Sequence, residues 1–374
     1  MLDFTKEEYD SRLAQTQREM VRRGLPVLLL HAPENIAYLS GFRMLGFFMY
    51  HALVVPASGQ PILVVRDVEQ AAADETCWVQ NRSVYIDTEQ PINAAARALR
   101  GLELDGGKIG IEHDTWFLTL ERMAILQSSL PNAEFVAEPN VVRRLRLIKS
   151  PAELDYLRQA SRVVEAMMQA GMDAIHVGAS ERDLAAAIMA AQATAGGEPP
   201  LEPILMTGER TRQLHGTWTD RRLNEQDAVY FELNGVVRGY WSKLMRTAAV
   251  GKPTPEQRRV AEILAGALST GIAMMRSGAD AGKIDEALRG PILKARLRDS
   301  YYHRVGYTMG LIYAPSSGEY LREFMAGDTW KLEAGQVFHM LVIASGIGFS
   351  ETVHVTDGGP ELMTRFERRL FECS

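Results

Sequence analysis

In three segments of the C-terminal half, side chains able to move protons interrupt sequence that is otherwise apolar or structurally plain. His215 stands between Leu214 and Gly216 in the largely polar stretch ILMTGERTRQLHGTWTDRRL. Glu232 lies inside the apolar run of VYFELNGVVRGYWSKLMRT, where burying a carboxylate is costly unless it finds partners. His339 and Glu351 interrupt two apolar runs within VFHMLVIASGIGFSETVHVTDGG. A carboxylate, an imidazole and a second carboxylate on neighbouring strands can make an acid–base site, imidazole being the side chain that titrates near neutral pH. The same residues also read as satisfied core polar groups or exposed strand positions, and the residues alone leave both readings open. Other chemistries find no motif. There is no Gly-x-Ser-x-Gly elbow and no Gly-rich phosphate loop, Cys77 and Cys373 lack a catalytic setting, and none of the eight histidines pairs at helical metal spacing.

The chain that must position these residues is 374 long. That favours two domains, since one core rarely grows past roughly 250–300 residues. Hydrophobic residues at 46% and charged residues at 24% exclude a disordered or collagen-like polymer. Basic residues number 41 against 47 acidic, a net charge of −6, which gives no reason to expect nucleic acid. Two cysteines cannot build a disulfide framework, as expected of a protein in a reducing cytoplasm. The start, MLDFTKEEYD, is acidic and interrupted, unlike a signal peptide. No apolar run reaches the roughly 18–20 residues that cross a bilayer. The expectation is a soluble, cytoplasmic, two-domain protein.

Short β-type runs at 26–30, 51–56, 61–65, 84–86 and 109–112 alternate with helical stretches near 66–75, 89–102 and 117–130, which predicts an α/β domain. Val142–Ser150 reads as a charged connector, and the division falls near 145. A helix then opens at Ser150, with Pro151 in the first turn and Glu153 completing a capping box. A second follows Ser180 and stops at Gly196-Gly197. Strands are expected at 202–206, 228–235 and 238–249, helices at 254–276 and 282–297, and a β-rich end at 337–356. Helices and long strands are segregated in this second part, as in an α+β domain.

These segments, in this order, resemble the creatinase/prolidase/methionine aminopeptidase (peptidase M24) superfamily, whose catalytic domain has the pita-bread fold. The resemblance covers nearly the whole chain, from EEYDSRL and NIAYLSGF to the C-terminus. It implies a creatinase-type N-terminal domain over 1–145 and a pita-bread domain over 146–374. The family's strand-turn-strand signature (Asp, Gly-Tyr, Asp, Arg-Thr) is matched by Glu232, Gly239-Tyr240, Lys243 and Arg246-Thr247. Its Gly-His-x-x-Gly becomes Gly306-Tyr307-Thr308-Met309-Gly310, and its Gly-Met-x-Phe-Thr-x-Glu becomes Gly335 through Leu341. The last glutamate matches Ser350 or Glu351, depending on a one-residue slip. Metallopeptidases of this fold hold two metals with two Asp, one His and two Glu. Lys243 and Leu341 are not oxygen ligands, so the resemblance points to the metal-free branch of creatinase and the ectoine hydrolases. Phe231-Glu232, His215 to Trp218, Gly306 to Glu319, Phe338-His339 and Arg368 to Phe371 match the ectoine hydrolases. Creatinase's glutamate before Arg-Thr is Met245.

By that resemblance the chain is expected to hydrolyse a C–N bond, amide or amidine, in a small zwitterionic solute, without metal or cofactor. His215 would transfer protons. Glu232 would bind a cationic amidinium, shuttle protons or attack the substrate, and Glu351 would be a further catalytic carboxylate. Tyr307, His339, Trp218, Tyr240, Lys243 and Tyr313 would bind substrate, with the Lys243 ammonium replacing metal charge. A homodimer is implied, with Phe47-Phe48-Met49-Tyr50-His51 near the partner's pocket, and neither nucleic acid nor membrane as a partner. The alternatives are an Xaa-Pro dipeptidase or aminopeptidase relative and a pita-bread binding module without catalysis.

Overall fold

The computed structural model describes residues 2–44, 46–199 and 203–374. The chain divides into Met1–Arg146 and Leu147–Ser374. In the first unit, helices α1 (Lys6–Arg22), α2 (Pro33–Ser40), α3 (Gln70–Thr76), α4 (Ile92–Gly101), α5 (Leu120–Ser129) and α6 (Asn140–Arg146) accompany six strands. These are β1 (Val27–Leu30), β2 (Ala52–Pro56), β3 (Ile62–Arg66), β4 (Arg82–Tyr85), β5 (Gly107–Ile111) and β6 (Ala133–Ala137). They form one mixed sheet in the order β4-β3-β2-β1-β5-β6. β1 is wholly apolar and wholly buried, as expected of a strand covered on both faces. Three elements depart from the sequence reading, one of them α2, where no helix is expected. The start of the expected connector is helix α6. Strand β6 was not anticipated, because AEFVA is half exposed and carries no continuous apolar run. Of the 47–51 segment, Tyr50 and His51 are core residues and Phe48 is 68% exposed.

The second unit has helices α7 (Pro151–Asp173), α8 (Glu181–Thr194), α9 (Pro255–Ala273) and α10 (Ala281–Lys294). Ser150 and Glu153 form the expected capping box on α7, and Ser180 with Asp183 forms another on α8. Its strands are β7 (Ile204–Thr207), β8 (Ala228–Val237), β9 (Tyr240–Val250), β10 (Gly306–Thr308), β11 (Glu323–Phe324), β12 (Val337–Ala344), β13 (Ile347–Thr356), β14 (Gly359–Leu362) and β15 (Phe371–Cys373). Residue 202 of the strand expected at 202–206 lies outside the described residues. Two sheets result, β15-β9-β8-β7 and β11-β10-β12-β13-β14.

Each sheet buries one face under a helix pair. Val164, Met168 and Ile188 of α7 and α8 pack on Phe231, Leu233 and Leu244. Leu264, Leu268 and Leu288 of α9 and α10 pack on Phe338, Met340, Phe349 and Val353. Because side chains alternate along a strand, the opposite faces carry Tyr230, Glu232, Asn234, Lys243 and Met245 on one sheet. On the other they carry His339, Leu341, Ile343, Ser350 and Thr352. A small cluster of Met206, Tyr230, Met245 and Ile343 joins these inner faces. Among the described residues, no helix is long and apolar enough to cross a membrane.

The first unit buries two imidazoles. His31 contacts the Tyr50 hydroxyl at 3.2 Å, and burial lowers its pKa to about 3. Burial likewise lowers His51 to about 4, with the Arg122 charge adding to the effect. In the denatured chain both would protonate near 6.5. Both pKa values fall on folding, so the stability is complete above about pH 6.5 and is lost as pH drops toward 4 and 3. The melting temperature of the first unit should therefore fall between pH 7 and pH 4.5, and His31→Leu/His51→Leu should flatten that slope. An unaltered slope in the double variant would remove the explanation.

Candidate active site

Two strands that share no backbone ladder are joined edge to edge by side chains. The Thr352 hydroxyl accepts from the Lys243 amide at 2.9 Å and donates to the Lys243 carbonyl at 3.0 Å. Further along, the Gly348 amide donates to the Thr247 hydroxyl at 3.0 Å. Arg246 closes the seam from behind, donating to the Ser350 carbonyl at 2.7 Å and to Glu351 Oε1 at 2.7 Å. The seam joins the two sheets along β9 and β13, so that their inner faces form one surface. A Cβ at Gly348 would lie 2.6 Å from the Tyr230 ring, so the inner faces of β8 and β13 meet closely there.

On that surface Lys243 is the centre. It is 2% exposed, with Nζ 2.9 Å from Glu232 Oε1 and donating to the Tyr307 hydroxyl at 3.0 Å. Burial works to strip its proton, but the Glu232 charge and the Tyr307 hydroxyl outweigh that and push its pKa up, so the group is an ammonium at all ordinary pH. The second Glu232 oxygen accepts from the Tyr230 hydroxyl at 3.2 Å. Burial raises the pKa of both Tyr230 and Tyr307, so each is a neutral hydroxyl. His339 opposes Tyr307 in the ladder and meets its ring edge-on at 5.1 Å. Burial, then the Lys243 charge, hold its pKa well below the usual range. It is therefore a neutral imidazole with one donor and one acceptor. Both its ring nitrogens, the Asn234 side-chain oxygen and the Ser350 hydroxyl are buried without a hydrogen-bond partner among the described residues. Buried polar atoms are seldom left so, and a polar ligand on this face would satisfy them.

His215 stands on an exposed turn after β7. The turn is held from below. The Glu181 carboxylate at the start of α8 accepts from the amide and hydroxyl of both Thr207 and Thr219 and pairs with Arg210. Two residues after His215, Thr217 bridges back to Ile204, which itself opposes Glu232 in the ladder. The loop is thereby fixed along β7, the neighbour of the strand that carries Glu232.

Three expected site residues, Glu351, Tyr240 and Trp218, lie elsewhere. Glu351 shares its face with Phe349 and Val353 and is held by Arg246, Arg368 at 3.0 Å and the Thr364 hydroxyl. It fastens the seam and does not reach the Glu232 group. Ser350, opposite Leu341, is the residue that faces inward. Tyr240 turns to α7, donating to Glu153 at 3.0 Å and stacking on Tyr156 at 5.8 Å, because it is an odd number of residues from Lys243 along β9. Trp218 packs on the α7–α8 core with Arg182 over its ring at 5.3 Å. Tyr313 lies half-buried in the loop after β10, where its carbonyl accepts from the Ser316 amide at 3.1 Å. Sequence reasoning missed Tyr230 and Asn234. The signal was present: in YFELN every second residue is polar or carries a hydroxyl, which marks one face.

The two-metal centre of the resembling metallopeptidases does not fit these residues. The five ligand positions hold Glu232, Lys243, Tyr307, Leu341 and Ser350. An ammonium has no lone pair, leucine has no donor atom, and a neutral phenol or hydroxyl binds hard cations poorly. Lys243 is itself bonded to the carboxylate that a metal would need. Among the described residues, no group of three or more His, Cys, Asp or Glu could hold a metal ion.

Removing one member of a buried ion pair strands the other, at a cost of about 3–5 kcal/mol. Lys243→Met should therefore lower the urea midpoint, and adding Glu232→Gln should restore most of the loss. Glu351→Gln should also destabilise, because Arg246 then loses its carboxylate. A wild-type midpoint for Lys243→Met would show that the pair carries no stability.

The chain matches metallopeptidase family M24 over residues 155–357 and the creatinase/prolidase N-terminal domain over residues 12–148. It is 29% identical to the ectoine hydrolase of Halomonas elongata, over 99% of this chain and 98% of that protein. A solved dipeptidase from Mycobacterium ulcerans is 25% identical with a TM-score of 0.83, covering 99% of both chains. A prolidase from Thermococcus sibiricus shares the fold at a TM-score of 0.87 and 22% identity, covering 97% of this chain and 99% of its own. The family match spans more than half of the sequence, and the chain belongs to metallopeptidase family M24, with a creatinase/prolidase N-terminal domain ahead of it.

Proposed function

We propose that this family member is a metal-independent hydrolase of a C–N bond in a small zwitterionic solute, an amide or cyclic amidine of the ectoine type. The observation that supports this most strongly is the Lys243 ammonium at 2.9 Å from Glu232. It supplies fixed positive charge inside the site while filling a metal-ligand position with a group that cannot bind metal. Likeness to an ectoine hydrolase along the whole chain supports the same reading.

Hydrolysis forms one C–O bond, breaks one C–N bond and delivers a proton to the leaving nitrogen. In this proposal the Glu232 carboxylate, oriented by Lys243 and Tyr230, attacks the electron-poor carbon or takes the proton from an attacking water. Charge building on the carbon's other substituent is met by donors that are already fixed, the Lys243 ammonium, the Tyr307 hydroxyl and the His339 N–H. His215, on its solvent-facing turn, passes the proton to the leaving nitrogen. A neutral ion pair at the centre suits a substrate whose own charges cancel.

A peptidase reading draws on the family itself and on likeness to dipeptidases at 25% and 26% identity. The two separate in one assay. Purified protein should open ectoine in the presence of chelator and leave Xaa-Pro dipeptides intact. His215→Ala and Glu232→Gln should each lower turnover by about a hundredfold or more, the scale of a lost proton-transfer group. Metal-dependent cleavage of dipeptides with no turnover of ectoine would overturn the proposal. An ester adduct on Glu232, detected by mass spectrometry, would identify it as the nucleophile.

A further inference from the structure

Beyond the Glu232–Lys243 group, a groove of about 430 Å³ opens between the His215 loop and the β12–β13 turn. Leu214, Leu297 and Ile343 give it an apolar wall, and Arg212 and Arg298 bring two guanidinium groups to it. Among the described residues, no Asp or Glu lines it. Among the described residues neither arginine has an ion-pair partner, whereas neighbouring Arg210 and Arg221 both have one. Two uncompensated guanidinium groups on one groove create a local positive potential that selects an anion.

The groove is built as a fixed structure. Arg298 stacks on Tyr301, with its guanidinium carbon 4.6 Å from the ring centroid, and donates to the Ile343 carbonyl at 3.3 Å. The Tyr301 hydroxyl accepts from the Ile343 amide at 3.3 Å. Both grips hold the end of β12. On the other side, Gly346 has φ of +77° and a Cβ there would lie 2.2 Å from the Thr211 hydroxyl. The turn is thus packed against Thr211, at the start of the Arg212 loop. Ile343 also packs with Tyr230 and Met245, and Tyr230 donates to Glu232. One residue therefore belongs to both the groove and the wall of the reaction centre.

We propose that this groove is the carboxylate subsite of the enzyme, taking the carboxylate of a small organic acid between Arg212 and Arg298 while the C–N bond lies toward Glu232. A guanidinium fork matches a carboxylate in plane. The apolar wall favours an anion that carries methylene groups over a fully hydrated inorganic one. The assignment rests on the hydrolase reading above, and it narrows the substrate to compounds with a free carboxylate.

Calorimetric titration of the full chain with N-acetylglycine, N-acetylglycinamide and inorganic phosphate tests it without requiring turnover. Wild-type protein should bind the acid on the order of tenfold tighter than the amide, the scale of one charge-assisted contact, and tighter than phosphate. Arg212→Ala, at an exposed position with no packing to lose, should abolish that preference. Arg298→Lys keeps the charge without the fork and should reduce it. Equal affinity for acid and amide in the wild type, unchanged preference in both variants, or tighter binding of phosphate would each overturn the subsite. Preference for the acid in a protein that does not open ectoine would retain the subsite and reject the substrate named above.

Discussion

A single ammonium group, sealed from water and held by Glu232 and Tyr307, sets the terms for the rest of the catalytic unit. A buried lysine keeps its proton only when opposite charge and hydrogen bonds exceed the cost of leaving water. Glu232 must therefore come from β8, Tyr307 from β10 and Lys243 from β9, three strands of two different sheets. The fold can satisfy Lys243 only if the two sheets meet. That requirement gives the seam its purpose and explains why polar residues line an otherwise apolar contact.

The seam itself rests on a second buried pair. Arg246 and Glu351, with side chains 0% and 2% exposed, lie on the helix-facing side and bind across the junction. Arg246 also donates to the carbonyls of Phe366 and Glu367, so the C-terminal segment is drawn into the same clasp. The two ion pairs, one on each side of the joined sheets, divide the labour. Glu232 and Lys243 face a surface with unsatisfied polar atoms and are available to a ligand. Glu351 and Arg246 are saturated by protein groups and are not.

Much of this was legible in the sequence, and the exceptions have physical causes. Apolar runs marked the long strands, and Ser150-Pro151-x-Glu153 marked the start of α7, because capping is a local interaction. Glu232 stood out because a carboxylate amid apolar strand residues needs a partner. The choice between Ser350 and Glu351 was harder, since both are polar and adjacent. Yet Ile347, Phe349, Val353 and Val355 share Glu351's parity, so the strand's own alternation assigned it to the helix-facing side. Tyr240 was misread for the same reason, lying one face away from Lys243. The groove of Arg212 and Arg298 left no local trace. Its two arginines are far apart in sequence and come to one groove only in the fold.

The family name speaks of metal, and the residues of this chain speak against it at the positions where metal would sit. The two statements meet in one quantity, the number of divalent ions that the folded protein takes up. Chelator-treated protein, free of any polyhistidine tag, can be titrated with Mn²⁺, Co²⁺ and Zn²⁺ by calorimetry and checked by elemental analysis. With Lys243 bonded to Glu232, uptake should stay well below one ion per chain, and Lys243→Asp should be needed before any site forms. Tight, stoichiometric binding of one or two ions to the unaltered protein would contradict the account at its centre.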